Sequence, residues 1–592
     1  MSRRVIKLFC LLTLVFLGAA TSQAAENQGL RNEANFFSIE PITFYFHYGD
    51  YFSRLVLKSS EARIWYSFQA ADFDSLEKPL LVFFNGGPGS ATSSGLMSMG
   101  TGKYILDNRV ESGGGDFFIP NTVPWTRLGN LLYIDARQAG FSYCLMDSVQ
   151  DSLARIREFN SQNFNPFFDA ADFIRVLLRF LAQHPDLQDN PVVIVGESYG
   201  GMRAICMLHI LLNYADYGNG FEMYQDQALA EEIQAHFDIV FPQHRNTVVP
   251  PEIITRQFGH QILIQPALAW QYQTQMATDL LNQPGSLLYK IGEEVGIPYD
   301  PAVYDDIHYY VRDVAGRDVY MYTKPRDWLT GFFQNASRLL RYVQNLELVT
   351  GFNVTGIPEL YASARTRAYR VYDPDYPTTV ETQDIPYLVK LHFLEPARLE
   401  ASAFSQEPGD LEAVFGTLQP WDRYFISTNY YANWAYHIFN VAKIRGYEAS
   451  LEGKCFGRMF LKNVVHVETF ITKAPLDLVV YSEAIVPSLA LYSDILESIE
   501  YVEQPLAGEA RPGMIVLKYL PGAFPDIQGI GTRTIRFPLY ASSCHAVSLT
   551  EPLELFADVS LWLEERGLGT MGKEEYPYEK DQKFKFARSC SR

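Results

Sequence analysis

Ser198 stands in the run Gly196-Glu197-Ser198-Tyr199-Gly200-Gly201, with glycine two positions before it and two after. Gly-x-Ser-x-Gly carries chemical meaning when a buried strand leads into it and a helix leaves it. Both flanks are present: Pro191 to Val195 is an apolar run, and Leu208, Leu211 and Leu212 continue an apolar helical face. The glycines remove side chains that would collide in a sharp turn, so the hydroxyl is presented at the carboxyl edge of a sheet. A serine hydroxyl is a weak nucleophile at its own pKa and needs a histidine base oriented by an acid. In this strand-turn-helix setting the chain order is serine, acid, histidine. Of eleven histidines only His545 lies beyond the apolar run 476–481, which reads as a late strand. An acid on or just after that strand therefore leaves His545 as the base. His184 and His209 lie in helical stretches close to Ser198 and read as packed or solvated. The oxyanion of the reaction needs N–H donors, and the expected two are Gly87, in the glycine loop Asn85-Gly86-Gly87-Pro88-Gly89, and Tyr199, next after the serine.

The elements that must position these residues are legible as short apolar runs. Residues 79–84, 131–134 and 191–195 predict buried strands, and apolar spacing over 168–181 predicts a helix between the last two. Strand, helix and strand in this order imply a parallel sheet covered on both faces. Residues 51–67 predict an opening antiparallel pair, and strand signals return at 476–481 and 514–517. The rhythm between is aromatic, charged and helical. The expected architecture is α/β, with a mostly parallel central sheet, helices on both faces and a large helical insertion. Its parts are a leader over 1–24, a first core segment over 25–275, a helical lid over 276–425 and a second core segment over 426–592. Gly100-Thr101-Gly102-Lys103 imitates the end of a phosphate loop, but Tyr104 stands where a magnesium-binding hydroxyl belongs, and an ordinary turn is expected.

Arg3, Arg4 and Lys7 precede an apolar run to Ala20, and Ser22-Gln23-Ala24 offers the small residues of a signal-peptidase site. The expected location is extracytoplasmic, secreted or periplasmic, with no membrane association after leader removal. The 592-residue chain is 47% apolar with a net charge of −19, which disfavours nucleic acid and anionic lipid as partners. No HExxH or His/Cys cluster is present, so neither metal nor other cofactor is expected. Loss of Cys10 with the leader leaves five cysteines without CxxC spacing and no readable pairing.

The chain resembles the serine carboxypeptidases. The resemblance is carried by Asn85-Gly86-Gly87-Pro88-Gly89, by Trp125 with Asn130-Leu131-Leu132-Tyr133-Ile134-Asp135, by Gly140-Phe141-Ser142-Tyr143, by the Ser198 motif, and by His545 with Pro552. It implies an α/β-hydrolase fold and removal of C-terminal residues from peptides, with Asn85 and Glu197 gripping the terminal carboxylate of a free peptide C-terminus. The family register places the catalytic acid at Glu483, four residues before Pro487, where glutamate replaces the usual aspartate; Asp477 and Asp494 are the alternatives. Several positions depart from the family. Phe84 replaces its tryptophan, Ser90-Ala91-Thr92 lacks the cysteine of a familiar disulfide, and Met99 stands where a further carboxylate supports the gripping pair. The expectation is a secreted serine carboxypeptidase working through a Ser-His-acid triad and an acyl-enzyme. An esterase or acyltransferase with the same triad, or an inactive binding protein on the same scaffold, are the other readings.

Overall fold

The structure is a computed structural model. It describes residues 30–46, 55–59, 61–86, 91–106, 118–137, 142–144, 166–219, 224–269 and 455–569, apart from short interruptions, with Gln273, Met276 and Gln283. The expected leader, Gly87 and nearly all of the 276–425 insertion lie outside the described residues.

Ten strands follow one another through a single sheet: β1 (Glu33–Ile39), β2 (Ala62–Gln69), β3 (Leu80–Phe84), β4 (Asn130–Ile134), β5 (Val192–Glu197), β6 (His260–Ile264), β7 (Glu468–Ile471), β8 (Leu496–Glu503), β9 (Gly513–Tyr519) and β10 (Thr532–Arg536). Their spatial order is β1-β2-β4-β3-β5-β6-β7-β10-β9-β8, with the two-residue strand Tyr143–Cys144 joined to β2. Every pairing from β4 across to β10 is parallel. The pairings outside this centre are antiparallel.

Side chains alternate across a strand, and here both faces are apolar. Leu80, Val82, Phe84, Leu132, Ile134, Val192 and Ile194 enter one core; Leu81, Phe83, Leu131, Tyr133, Val193 and Val195 enter another. Helices α1 (Pro166–Gln183), α2 (Tyr199–Leu212), α3 (Gln227–Val240), α4 (Pro251–Phe258) and α5 (Cys455–Val464) supply the first core, and α6 (Pro552–Glu565) supplies the second. A parallel sheet of this order with helices on both faces is the α/β-hydrolase architecture. β6 and β7 are adjacent although about 200 residues separate them in the chain, so the long insertion leaves the sheet at the carboxyl end of β6.

Two strand expectations need correction. The strands within 51–67, Leu55–Lys58 and β2, do not pair with each other. The first pairs with Thr43–Phe46 and the second with β1, a choice of partners that local pattern does not encode. Nor do Asp477, Val480 and Tyr481, the described residues of 476–481, belong to a late strand. The sheet uses Glu468–Ile471, and Asp477 lies in a turn whose N–H reaches Ala474 O at 3.3 Å. A buried apolar loop and a buried strand have the same composition, and four residues give no period to separate them.

One face of α1 carries Asp169, Asp172 and Arg175, all buried, each paired to a different element. Asp169 meets Arg203 of α2 at 2.7 Å, and Asp172 meets Arg137, beyond β4, at 2.6 Å. Arg175 meets Asp226, the N-cap of α3, at 2.7 Å. Breaking such a pair leaves a buried charge without its partner, a cost of about 3–5 kcal/mol. Asp172→Ala is expected to lower unfolding stability by about that amount, read as a lower urea midpoint with an unchanged slope.

Candidate active site

At the end of β5 the backbone of Ser198 takes φ 59° and ψ −124°, a conformation that L-residues avoid, and α2 begins at the next residue. The turn is held by its neighbours: Ser198 N–H donates to Ile264 O at 3.0 Å, and Ser198 O accepts from Ala267 N–H at 2.8 Å. The motif glycines are required for space. A methyl at Gly196 would lie 2.4 Å from Gly200 O, and one at Gly200 would lie 2.9 Å from Phe84 O. Sequence reading did not single out Gly86, which matters as much. A methyl there would lie 2.4 Å from Tyr199 N and 2.6 Å from Ser198 Cβ, so the loop after β3 presses directly on the Ser198 turn. Tyr199 opens α2, where N–H groups lack intrahelical acceptors, while Gly87, the other expected oxyanion donor, lies outside the described residues.

The loop after β3 is tied down by hydrogen bonds where the family disulfide is absent. Thr92 Oγ1 donates to Ile134 O at 2.6 Å, and Ser93 donates to Asp135 through its N–H (2.9 Å) and hydroxyl (2.8 Å). Asn85 and Glu197, expected as a pair, are together: Asn85 Nδ2 donates to Glu197 Oε2, and Asn85 Oδ1 accepts from Leu96 N–H at 2.7 Å. Both residues are buried. Arg203, from the second turn of α2, donates to Asn85 O at 2.6 Å while its guanidinium lies over the Phe173 ring at 4.3 Å. It thereby joins α2 to the glycine loop. Burial, with the charge of Asp169, holds the Tyr199 phenol protonated far above its usual range. Gly100-Thr101-Gly102-Lys103, expected as an ordinary turn, overlaps a π-helical turn at Met97–Thr101. A methyl on Gly100 would lie 2.2 Å from Ser548 O, three residues beyond His545.

His545 is buried and its Nδ1 lies 2.9 Å from Asp477 Oδ2. Burial by itself would lower its pKa, but the charge and hydrogen bond of Asp477, with the charge of Glu197, outweigh this and raise it above 6.5. The Glu197 that contributes to this rise is the residue immediately before Ser198. The position expected for Glu483 is therefore occupied by Asp477. Glu483 accepts from Tyr481 OH at 2.9 Å and sits 3.5 Å from Lys473, while Asp494 pairs with Arg458 at the surface. The physical reason is the turn after β7, which starts at Thr472, ten residues earlier than a strand over 476–481 implies, and brings Asp477 to the imidazole. His184 and His209 are engaged elsewhere, His209 with Tyr217 OH at 2.8 Å; burial pushes the His209 imidazole down to about 3.

Residues 40–222 match the family model of serine carboxypeptidases. Among curated proteins, serine carboxypeptidase-like 9 of Arabidopsis thaliana is 29% identical over 157 residues, 26% of this chain and 32% of that protein. Serine carboxypeptidase-like 11 of the same plant is 29% identical over 151 residues, 24% of this chain and 31% of that protein. The matched region thus spans about a third of these relatives. Of solved structures, a prohormone-processing carboxypeptidase from Saccharomyces cerevisiae aligns over 91% of this chain and 92% of its own at 11% identity, with a TM-score of 0.41. A peroxisomal α/β-hydrolase from the same yeast aligns over 93% of each chain at 12% identity and a TM-score of 0.31. Both scores are low, and the fold assignment rests on the strand order of this chain.

The acid's placement is directly testable through the rate at which a fluorophosphonate labels Ser198. Asp477→Asn is expected to slow labelling by about 10⁴, since the amide holds the imidazole in the wrong tautomer. Glu483→Gln is expected to stay within a few-fold of the parent. The reverse ranking would return the role to Glu483.

Proposed function

Because the chain is a divergent member of the serine carboxypeptidase family, we propose that it is a secreted serine-type peptidase that removes C-terminal residues from peptides through an acyl-enzyme. The observation that carries this reading is the Asp477–His545 pair at 2.9 Å, in a chain whose Ser198 sits in a strained strand-to-helix turn. Ser198 Oγ attacks the scissile carbonyl while His545 Nε2 takes its proton, and Asp477 holds the Nδ1–H and stabilises the imidazolium. The oxyanion is received by the Tyr199 and Gly87 N–H groups. His545 then delivers the proton to the departing amino group, and water, activated by the same imidazole, releases the acyl chain and restores Ser198.

Exopeptidase specificity is assigned to Asn85 and Glu197, whose buried pairing holds two polar side chains next to the nucleophile turn. The insertion leaving β6 at the carboxyl edge of the sheet is assigned the role of covering the pocket, since ligands of such sheets bind beyond the strand ends. Extracytoplasmic action is proposed on the expected leader over 1–24. No helix among the described residues is long and apolar enough to cross a membrane.

This reading fixes a pH dependence. A substrate carboxylate beside Glu197 requires one shared proton, because two such charges in contact do not both ionise cheaply; that interaction is present at low pH and lost as pH rises. His545 must be neutral to act as base, and its raised pKa removes that activity as pH falls through a midpoint above 6.5. For a free peptide, kcat/KM is expected to peak between the two limbs. For the same peptide amidated at its C-terminus it is expected to rise and level off. Matching profiles would remove carboxylate recognition and favour ester hydrolysis or acyl transfer, a reading to which Met99 in place of the family carboxylate gives support. Ser198→Ala is expected to abolish both activities down to residual oxyanion and binding contributions.

A further inference from the structure

β6 ends at Ile264, and the next residue, Gln265, is fully buried with φ 45°, a left-handed backbone in which a non-glycine residue is uncommon. Its backbone N–H donates to Thr472 Oγ1 at 2.9 Å. Its side-chain amide has one orientation that serves every neighbour, and amide orientation is assigned from such partners. The oxygen then accepts from Ala474 N–H at 3.0 Å and from Thr472 Oγ1 at 3.1 Å, and the nitrogen donates to Asp477 Oδ2 at 3.0 Å and Ser482 Oγ at 3.2 Å. The reverse orientation would set amide oxygen against carboxylate and amide nitrogen against a backbone N–H.

We infer that Gln265 is a positioning residue for the acid: its amide N–H donates to Asp477 Oδ2, the oxygen that also faces His545, and fixes the carboxylate against the imidazole. The inference rests on the triad reading above. Asp477 Oδ2 meets the imidazole at 2.9 Å and the amide at 3.0 Å, and Oδ1 accepts from Val480 N–H at 3.0 Å. Donors on both oxygens hold the carboxylate in one rotation. The same short segment reaches the nucleophile, because Ile264 O and Ala267 N–H bracket Ser198 through its N–H and carbonyl. Gln265 thus joins the serine turn to the acid turn across strands that lie about 200 residues apart in the chain.

The test is the pH profile of Ser198 labelling by a fluorophosphonate in the full-length protein, for the parent, Gln265→Met and Gln265→Glu, with folding checked by circular dichroism. Charged groups facing His545 are Asp477 and Glu197; Lys473 and Glu483 pair with each other on the acid turn at 3.5 Å and are unchanged by these variants. Loss of the amide dipole makes the surroundings of the imidazole more negative, and an added carboxylate does so further. Labelling midpoints are therefore expected to rise in the order parent, Gln265→Met, Gln265→Glu. Below the parent midpoint the Met variant is expected to label about tenfold more slowly, the equivalent of one hydrogen bond to a charged acceptor. A purely structural role would change stability or amplitude and leave the midpoint in place, so folded variants titrating with the parent would overturn the inference. Should neither variant fold, the parent labelled with ¹⁵N-glutamine decides. One side-chain amide is expected to titrate together with His545, and the absence of any such amide would overturn the inference. A parent that resists labelling at every pH would instead remove the triad reading itself.

Discussion

The backbone of Ser198 is held where an L-residue does not rest, and much of the surrounding structure serves to hold it there. Such a conformation costs on the order of 1–3 kcal/mol and persists only when its neighbours over-determine it. Here they do so from three sides. β6 and the segment just after it grip Ser198 through its N–H and carbonyl, Gly86 presses the loop after β3 against Tyr199, and α2 starts at once from the turn. Two of these neighbours are segments of separate strands or their loops, so the turn exists only when β3, β5 and β6 are in register. The parallel pairings of Val195 with Phe83 and Ile262 supply that register.

Around this turn the polar groups are cross-linked by buried charge and hydrogen bonding. Arg203 connects α1, α2 and the glycine loop through Asp169 and Asn85 O. Thr92 and Ser93 fasten the same loop to the end of β4. A buried ion pair seldom adds much net stability over an apolar replacement, but removing one member is severe. The arrangement therefore contributes geometry more than free energy. It sets Asn85 against Glu197 and keeps both beside Ser198.

Asp477 comes to His545 from a loop that follows β7, the strand that rejoins the sheet after the long insertion. Ser482 and Ala474 close that loop upon itself, and the Gln265 and Val480 amides address the Asp477 carboxylate. Glu483 faces the opposite way, toward Lys473 and Tyr481. Two carboxylates six residues apart thus fall on different sides of one turn, and only one meets the imidazole.

The sequence by itself determined the β3, β4 and β5 runs, the helix between the last two, and the turn at Ser198. These are local: consecutive apolar residues bury on both faces of a parallel strand, and glycines at fixed offsets open a tight turn. Chain order alone singled out His545, and motif resemblance paired Asn85 with Glu197. Tertiary structure decided the rest. Asp477 rather than Glu483 meets His545 because the strand before it ends at Ile471, a boundary that four residues of mixed pattern do not mark. Arg203 and Gln265 gave no signal, and Gly86 was read only as part of its loop, since what each contributes is a contact with a residue far along the chain. Spacing along a chain reports what neighbours in sequence can do; which distant carboxylate, amide or guanidinium reaches a given atom is fixed only when separate strands are brought side by side.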